Sequence, residues 1–184
     1  MDSKNGKAPT KKSLKRDETA LNRKIKELAR AAEKRQRSRT IKNTKLPDRT
    51  FDGKSFKKLK GKLRLPALGN LKYRFGTQRE GDILWKGVFI EANKGQPVIA
   101  IASGEDVYAD WLGGFGNLLI IDHGGGYLSL YGNNESLLQG VGNIVKAGDT
   151  VATVGNTGGN SNSGLYFELR FKGKPFNPLK WVKF

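Results

Sequence analysis

From Leu65 onward glycine recurs every few residues, and the runs between glycines are short, apolar and often β-branched. This texture limits the fold more than any other feature of the chain. Runs of that length suit strands, and paired glycines permit turns with positive φ. Candidate strands are 97–102, 106–110, 118–122, 127–131, 150–154 and 165–171, with Gly113-Gly114, Gly124-Gly125-Gly126 and Gly158-Gly159 between them. Many short strands at close spacing predict an antiparallel sandwich or barrel. Leu118-Leu119-Ile120-Ile121 is apolar on both faces, so that strand is expected at the centre of a sheet. After residue 70 only Glu135–Gln139 suggests a helix.

The part before Leu65 has a different character. Residues 1–70 carry 23 basic and 7 acidic side chains, a net of +16, whereas residues 71–184 are nearly neutral at +1. The basic character therefore belongs to an N-terminal arm. Such an arm attracts nucleic acid, anionic lipid or an acidic protein, and charge alone does not choose among them. Within it, Leu14, Leu21, Ile25, Leu28 and Ala32 form an a/d stripe. Two heptads fit either a short helix docked on something or the end of a longer coiled coil. The opening stretch to Ser13 is polar and basic and reads as disordered. Residues 37–64 contain Pro47 and Gly53, have no sustained period, and read as linker. Phe51, Phe56 and Leu59 among its lysines suit a linker pinned to a neighbouring domain better than a nucleic-acid surface. The expected division is a basic helical arm over 1–36, a basic linker over 37–64 and an all-β domain over 65–184.

Several function classes are excluded. Without cysteine there is no disulfide, thiol nucleophile or cysteine-held zinc. No apolar run is long enough for a membrane-spanning helix. Residues 1–20 lack the apolar core of a secretory signal, so an exported protein with this sequence is expected to be a fragment or to have an edited start. Gly155-Asn-Thr-Gly-Gly-Asn160 lacks the Gly-Lys-Ser/Thr ending and following helix of a phosphate loop, and reads as a turn.

Five motifs in order give the β region a resemblance. Gly95-Gln-Pro-Val-Ile-Ala100 with Gly104 is one; Gly116-Asn-Leu-Leu-Ile-Ile-Asp-His-Gly124 with Tyr127, Ser129 and Tyr131 is another. Val145-Lys-Ala-Gly-Asp-Thr-Val151, Val154-Gly-Asn-Thr-Gly158, and Phe167-Glu168 with Lys174-Pro-Phe-Asn-Pro178 complete the set. Over residues 65–178 the chain resembles the lysostaphin/LytM family of zinc peptidases that cleave peptidoglycan cross-links. The resemblance implies an antiparallel LytM β domain built as a duplicated hybrid motif.

Active members of that family hold zinc with the His and Asp of an H-x-G-x-D segment and the second His of an H-x-H pair. The first His of the pair is a catalytic base, and a further His closes a Y-x-H segment. Here the corresponding positions are Trp85 and Phe89, Gly164 and Tyr166, and Asn133. Zinc needs deprotonated nitrogen, sulfur or oxygen donors, three of them from protein in a catalytic site. Trp, Phe and Gly side chains offer none, and a tyrosine phenol is neutral near pH 7. Without metal no water is activated. The expectation is a pseudoenzyme with no metal and no cofactor. His123, the sole histidine, falls in a D-H-G turn outside the metal set and reads as structural. Glu168 shares a strand face with Tyr166 but lacks the partner carboxylate that acid/base hydrolysis uses.

Loss of the ligands leaves a groove, and the resemblance places Lys86, Phe89, Phe115, Leu118, Tyr131, Tyr166 and Arg170 along its floor or rim. Aromatic and arginine side chains of this kind suit protein contact. Trp85-Lys86-Gly87, Ala109-Asp110-Trp111-Leu112, Ser129-Leu-Tyr-Gly132 and Leu165-Tyr-Phe-Glu168 are similar to one degenerate branch, the EnvC-like murein hydrolase activators. That similarity implies a periplasmic, non-enzymatic activator of a cell-wall amidase in division, with a coiled coil coupling it to a division transporter complex. Two alternatives stay open: a peptidoglycan-binding module in which Trp85, Trp111 and Trp181 stack sugars, and a residual metallopeptidase with unusual ligands.

Overall fold

The computed structural model describes residues 8–41, the last nine of them as backbone only, and residues 55–183. Phe51, Pro47, Gly53 and the first residues of the expected disordered opening lie outside these. A single long helix, α1 (Lys11–Ile41), comes first. Thr10 and Ser13 cap its start reciprocally: each backbone N–H donates to the other's hydroxyl, at 2.9 and 3.1 Å.

Twelve strands follow. They are β1 (Asn70–Tyr73), β2 (Gln78–Glu80), β3 (Ile83–Leu84), β4 (Val88–Glu91), β5 (Pro97–Ile99), β6 (Gly104–Trp111), β7 (Asn117–Asp122), β8 (Tyr127–Leu137), β9 (Ile144–Val145), β10 (Thr150–Val154), β11 (Gly164–Phe171) and β12 (Lys174–Phe176). Ten of them make one antiparallel sheet whose main path runs β1-β4-β11-β8-β7-β6-β9, with β10 joining β8 to β5 and β12 at the edge of β11. β2 and β3 form a separate hairpin. The fold is therefore mostly β with one N-terminal helix, as the glycine-punctuated pattern predicts. β7 lies between β6 and β8, and Leu118 to Ile121 are fully buried. The helix suggested at Glu135–Gln139 is absent: β8 continues to Leu137, held by pairing with β10. Short β1, β4, β9 and β12 carry too little pattern to stand out in the sequence.

Alternation along β8 and β11 sorts side chains onto two faces. One face carries Leu119, Ile121, Tyr131, Phe167 and Leu169 into the main core with Val98, Val151 and Trp181. The other carries Leu118, Ile120 and Leu130, which would be an exposed apolar strip without a cover. Leu21 and Ile25 of α1 supply that cover, with Leu28 beside them. The a/d stripe thus docks on the chain's own sheet.

The boundaries differ from the sequence-based division. The helix passes residue 36 and reaches 41. Residues 55–64 belong with the β domain: Phe56 is buried against Trp181, His123 and Tyr127, and Leu63 forms a parallel bridge with Val182. The pinning by Phe56 follows the apolar residues among the lysines, whereas the Leu63 bridge that joins the stretch to the β domain has no local pattern to mark it. Truncation to residue 55 is expected to preserve cooperative unfolding. Phe56→Ala is expected to cost about 3 kcal/mol, the usual range for emptying a buried aromatic site. Urea denaturation checks both.

Candidate functional site

At the place where the resemblance implies a groove, α1 packs over the sheet and a narrow cleft remains beneath it. Leu14, Asp17, Glu18 and Leu21 from the helix face Arg79, Trp85, Lys86, Phe89, Phe115, Tyr166, Glu168 and Arg170, leaving a cleft of only about 40 Å³. Phe89, Trp85 and Tyr166 are buried together, with Phe115 packed on them. Trp85 stacks on Tyr73 at 4.5 Å, and the Arg79 guanidinium sits 4.0 Å from the Trp85 ring centroid. Arg79 comes from the β2–β3 hairpin, and no sequence pattern marks it as part of the site.

These residues do not fit a zinc ion. An added Cβ on Gly164 would lie 2.5 Å from Phe89 Cζ, so the Phe89 ring fills the space a side chain at 164 would need. The two departures from the peptidase pattern are thus sterically matched. Tyr166 is turned to Glu168, its hydroxyl donating to Oε2 at 2.7 Å, and burial holds its phenol well above the usual range. Asn133, in the left-handed region at φ 62°, donates from Nδ2 to the carbonyls of Gly114 and Thr157 at 3.0 and 2.7 Å. It ties two loops together at the groove end.

Tyr166, Glu168 and Arg170 alternate onto the groove face of β11 and form one buried ladder. Arg170 Nε donates to Glu168 Oε1, and Arg170 Nη1 donates to Asn22 Oδ1 of α1 at 2.8 Å. Burial raises the Glu168 carboxyl, and the Arg170 charge works against that shift. Arg170 was expected at the rim. It lies instead on the floor, 1% exposed, because α1 covers this stretch of β11. Charge reversal there would bury two carboxylates side by side and is a folding lesion, not a clean probe of binding. Lys86 does sit at the edge, half-exposed, with its ammonium 4.0 Å from Glu18 of α1. Leu118 is on the groove face but wholly covered by the helix.

Tyr131 corrects the expected list more sharply. Register pairs Gly132 with Tyr166, which places Gly132 on the groove face and turns Tyr131 to the opposite core. There its hydroxyl accepts from Ile101 N–H and lies 3.0 Å from Ser129 Oγ. Ser129 in turn lies 2.7 Å from His123 Nε2, and His123 Nδ1 donates to the Ser103 carbonyl at 2.8 Å. The histidine is thus a neutral, partly buried strut. Among the tryptophans, Trp111 is half-exposed while Trp85 and Trp181 are buried, so they make no shared sugar platform.

The partly buried His123 and the buried Asp106 give opposed pH dependences. Burial lowers His123 from 6.5 to about 4, so between those values the unfolded chain binds more protons. Its contribution is complete above pH 6.5 and falls as pH drops, by about 3 kcal/mol at pH 4. Burial raises Asp106 from 3.8 to about 7, and its Oδ2 has no hydrogen-bond partner among the described residues. Its contribution is present at low pH and lost as pH rises through 7. Asp106→Asn removes the second slope only. Relative to wild type, the variant is expected to lose about 3 kcal/mol of stability between pH 7 and pH 4, read by urea denaturation at each pH.

The model of peptidase family M23 matches residues 84–178, more than half the chain. The chain belongs to peptidase family M23. Among M23 relatives, the murein hydrolase activator EnvC of Escherichia coli (strain K12) is 43% identical over 123 residues, covering 67% of this chain and 29% of that protein. The murein hydrolase activator NlpD of the same organism is 44% identical over 120 residues, covering 65% and 31%. The chain thus spans under a third of each relative. Among solved structures, the catalytic domain of the antimicrobial peptidase lysostaphin from Staphylococcus simulans aligns with a TM-score of 0.55 at 28% identity, over 60% of this chain and 90% of that one. A zinc-containing peptidase from Vibrio cholerae gives 0.60 at 23% identity, over 63% and 38%, and shares the fold.

Proposed function

We propose that this M23 chain is a non-enzymatic activator of peptidoglycan amidases, acting in the periplasm during cell-wall splitting. The observation that carries the reading is that an apolar and aromatic groove replaces a metal centre and receives an amphipathic helix. A groove that accepts α1 through Leu14, Leu21 and Ile25, with polar ties at Asp17, Glu18 and Asn22, is built to bind a helix of similar pattern. The murein hydrolase activators among its relatives support the same role. In this reading α1 holds the groove closed, and the amidase or a protein bound to the arm must displace it. Coupling of the arm to a division transporter complex belongs to the same proposal. Among the described residues no helix is long and apolar enough to cross a membrane.

The test uses dye-labelled sacculi and a panel of periplasmic amidases. The chain alone is expected to release no dye and to purify without stoichiometric zinc. With its matching amidase it is expected to raise dye release. Lys86→Glu both repels Glu18 of α1 and removes a partner contact, so its effect is read in a background where α1 is already detached. There it is expected to cut stimulation at least about tenfold, with the thermal midpoint unchanged. Dye release by the chain alone, or full stimulation by the Lys86→Glu variant, rejects the reading.

A further inference from the structure

The face of the sheet opposite the groove carries a second feature. Residues 55–69 and 171–184 contain nine Lys and Arg and no Asp or Glu. The fold brings these two distant stretches together. Leu63 bridges Val182, Lys183 N–H donates to the Leu63 carbonyl at 2.7 Å, and the Lys60 ammonium lies 5.9 Å from the Trp181 ring centroid. Lys57, Lys58, Lys60, Lys62 and Arg64 are exposed along one stretch, and Lys172, Lys174, Lys180 and Lys183 along the other. Among the described residues none of them reaches a carboxylate within ion-pair distance. Holding so many like charges together costs stability through mutual repulsion, and an anionic partner would relieve it.

We infer that this patch docks the domain on an anionic lipid bilayer. Eight of the nine cations are lysine, which suits diffuse attraction to a charged surface more than bidentate recognition of one group. Two apolar side chains accompany them: Phe171, 37% exposed under the Lys172 ammonium, and Leu68, 83% exposed and four residues after Arg64. Among the described residues the other aromatic rings of these stretches, Phe56, Phe176 and Trp181, are buried or packed against the core, so they offer no stacking platform for nucleic-acid bases. Phe56, Leu63 and Trp181 pack on the core face of the sheet, whereas α1 covers the other face. A domain seated on lipid by this patch therefore presents its groove away from the bilayer. The inference is independent of the amidase reading.

The test is co-sedimentation of the full chain with vesicles of phosphatidylcholine containing about one third phosphatidylglycerol, and with phosphatidylcholine alone. Because the basic arm also contributes charge, two variants with equal charge change are compared. One reverses Lys57, Lys58, Lys62 and Lys183 to Glu; the other reverses Lys15, Arg16, Lys26 and Arg30, all exposed on α1. The patch variant is expected to lose at least about tenfold in partition to the anionic vesicles, and the helix variant less than about threefold. Binding is expected to disappear as salt rises from about 0.05 to 0.5 M. Thermal unfolding of both variants verifies the fold, and the corresponding Lys→Gln patch variant replaces the reversal if it is unstable. Equal losses in the two variants, equal binding to neutral vesicles, or retention by sacculi or duplex DNA in competition with the anionic vesicles would overturn the inference.

Discussion

Leu21→Asp is expected to detach α1 and raise the apparent affinity for a groove-binding partner at least tenfold. Leu21 is 1% exposed and packs with Ile25 on Leu118, Ile120 and Leu130. Removing it from the sheet costs about 2–3 kcal/mol, and burying a carboxylate in its place costs more. The helix therefore leaves before the aspartate is buried. The β domain stays folded, because its main core lies on the other face of the sheet. If the groove is covered nearly all the time in the wild-type chain, partner affinity is reduced by the fraction open, so release restores about ten- to a hundredfold. Two measurements check this. Hydrogen exchange is expected to rise in α1 and at the Gly113-Gly114 turn, where Gly114 N–H donates to Asp17 Oδ2 at 3.1 Å. Amidase stimulation on labelled sacculi is expected to rise in parallel. Increased exchange without increased stimulation would show that α1 moves but that the amidase does not use this groove.

Arg170→Ala is expected to destabilise the chain by about 3–5 kcal/mol, the range for removing one member of a buried ion pair. Arg170 and Glu168 are fully covered, and Arg170 also reaches Asn22 and the Gly173 carbonyl. Its removal strands a carboxylate that keeps only the Tyr166 hydroxyl. Glu168 then favours its protonated form, so the loss is expected to be smaller at low pH than at neutral pH. The double replacement Glu168→Leu with Arg170→Met is expected to be more stable than the Arg170→Ala single variant, because an apolar pair removes the unpaired charge. Urea denaturation of the three chains at two pH values decides it. If the double variant is the least stable, the ladder holds the fold by its geometry and not by charge compensation.

That positions of the family's zinc site carry no donor side chain was legible at Trp85, Phe89 and Gly164, since residue type alone decides whether a donor atom exists. The turn role of His123 was legible from its place in the D-H-G segment, outside the ligand positions that the resemblance implies. The ladder was only half legible: Tyr166, Glu168 and Arg170 share strand parity, yet nothing local says that a helix covers them. Arg79 carried no signal, because its place over Trp85 depends on how the β2–β3 hairpin folds back. Tyr131 was assigned to the groove from motif order, and its true side follows from cross-strand register, which a motif does not encode.

The sequence by itself determined strands β5 to β8, β10 and β11, the glycine turns between them, the helical stripe of α1 and the lack of zinc donors at Trp85, Phe89 and Gly164. Each of these depends on a residue's own chemistry or on period-two and a/d spacing. Only the tertiary structure decided that the stripe docks in the former active-site groove, that Arg170 lies on the floor, and that two lysine-rich stretches share one face. Those outcomes join residues more than a hundred positions apart, such as Asn22 with Arg170 and Leu63 with Val182. They follow from which exposed apolar strip finds a cover and which ends of the sheet meet, and both are properties of the packed chain.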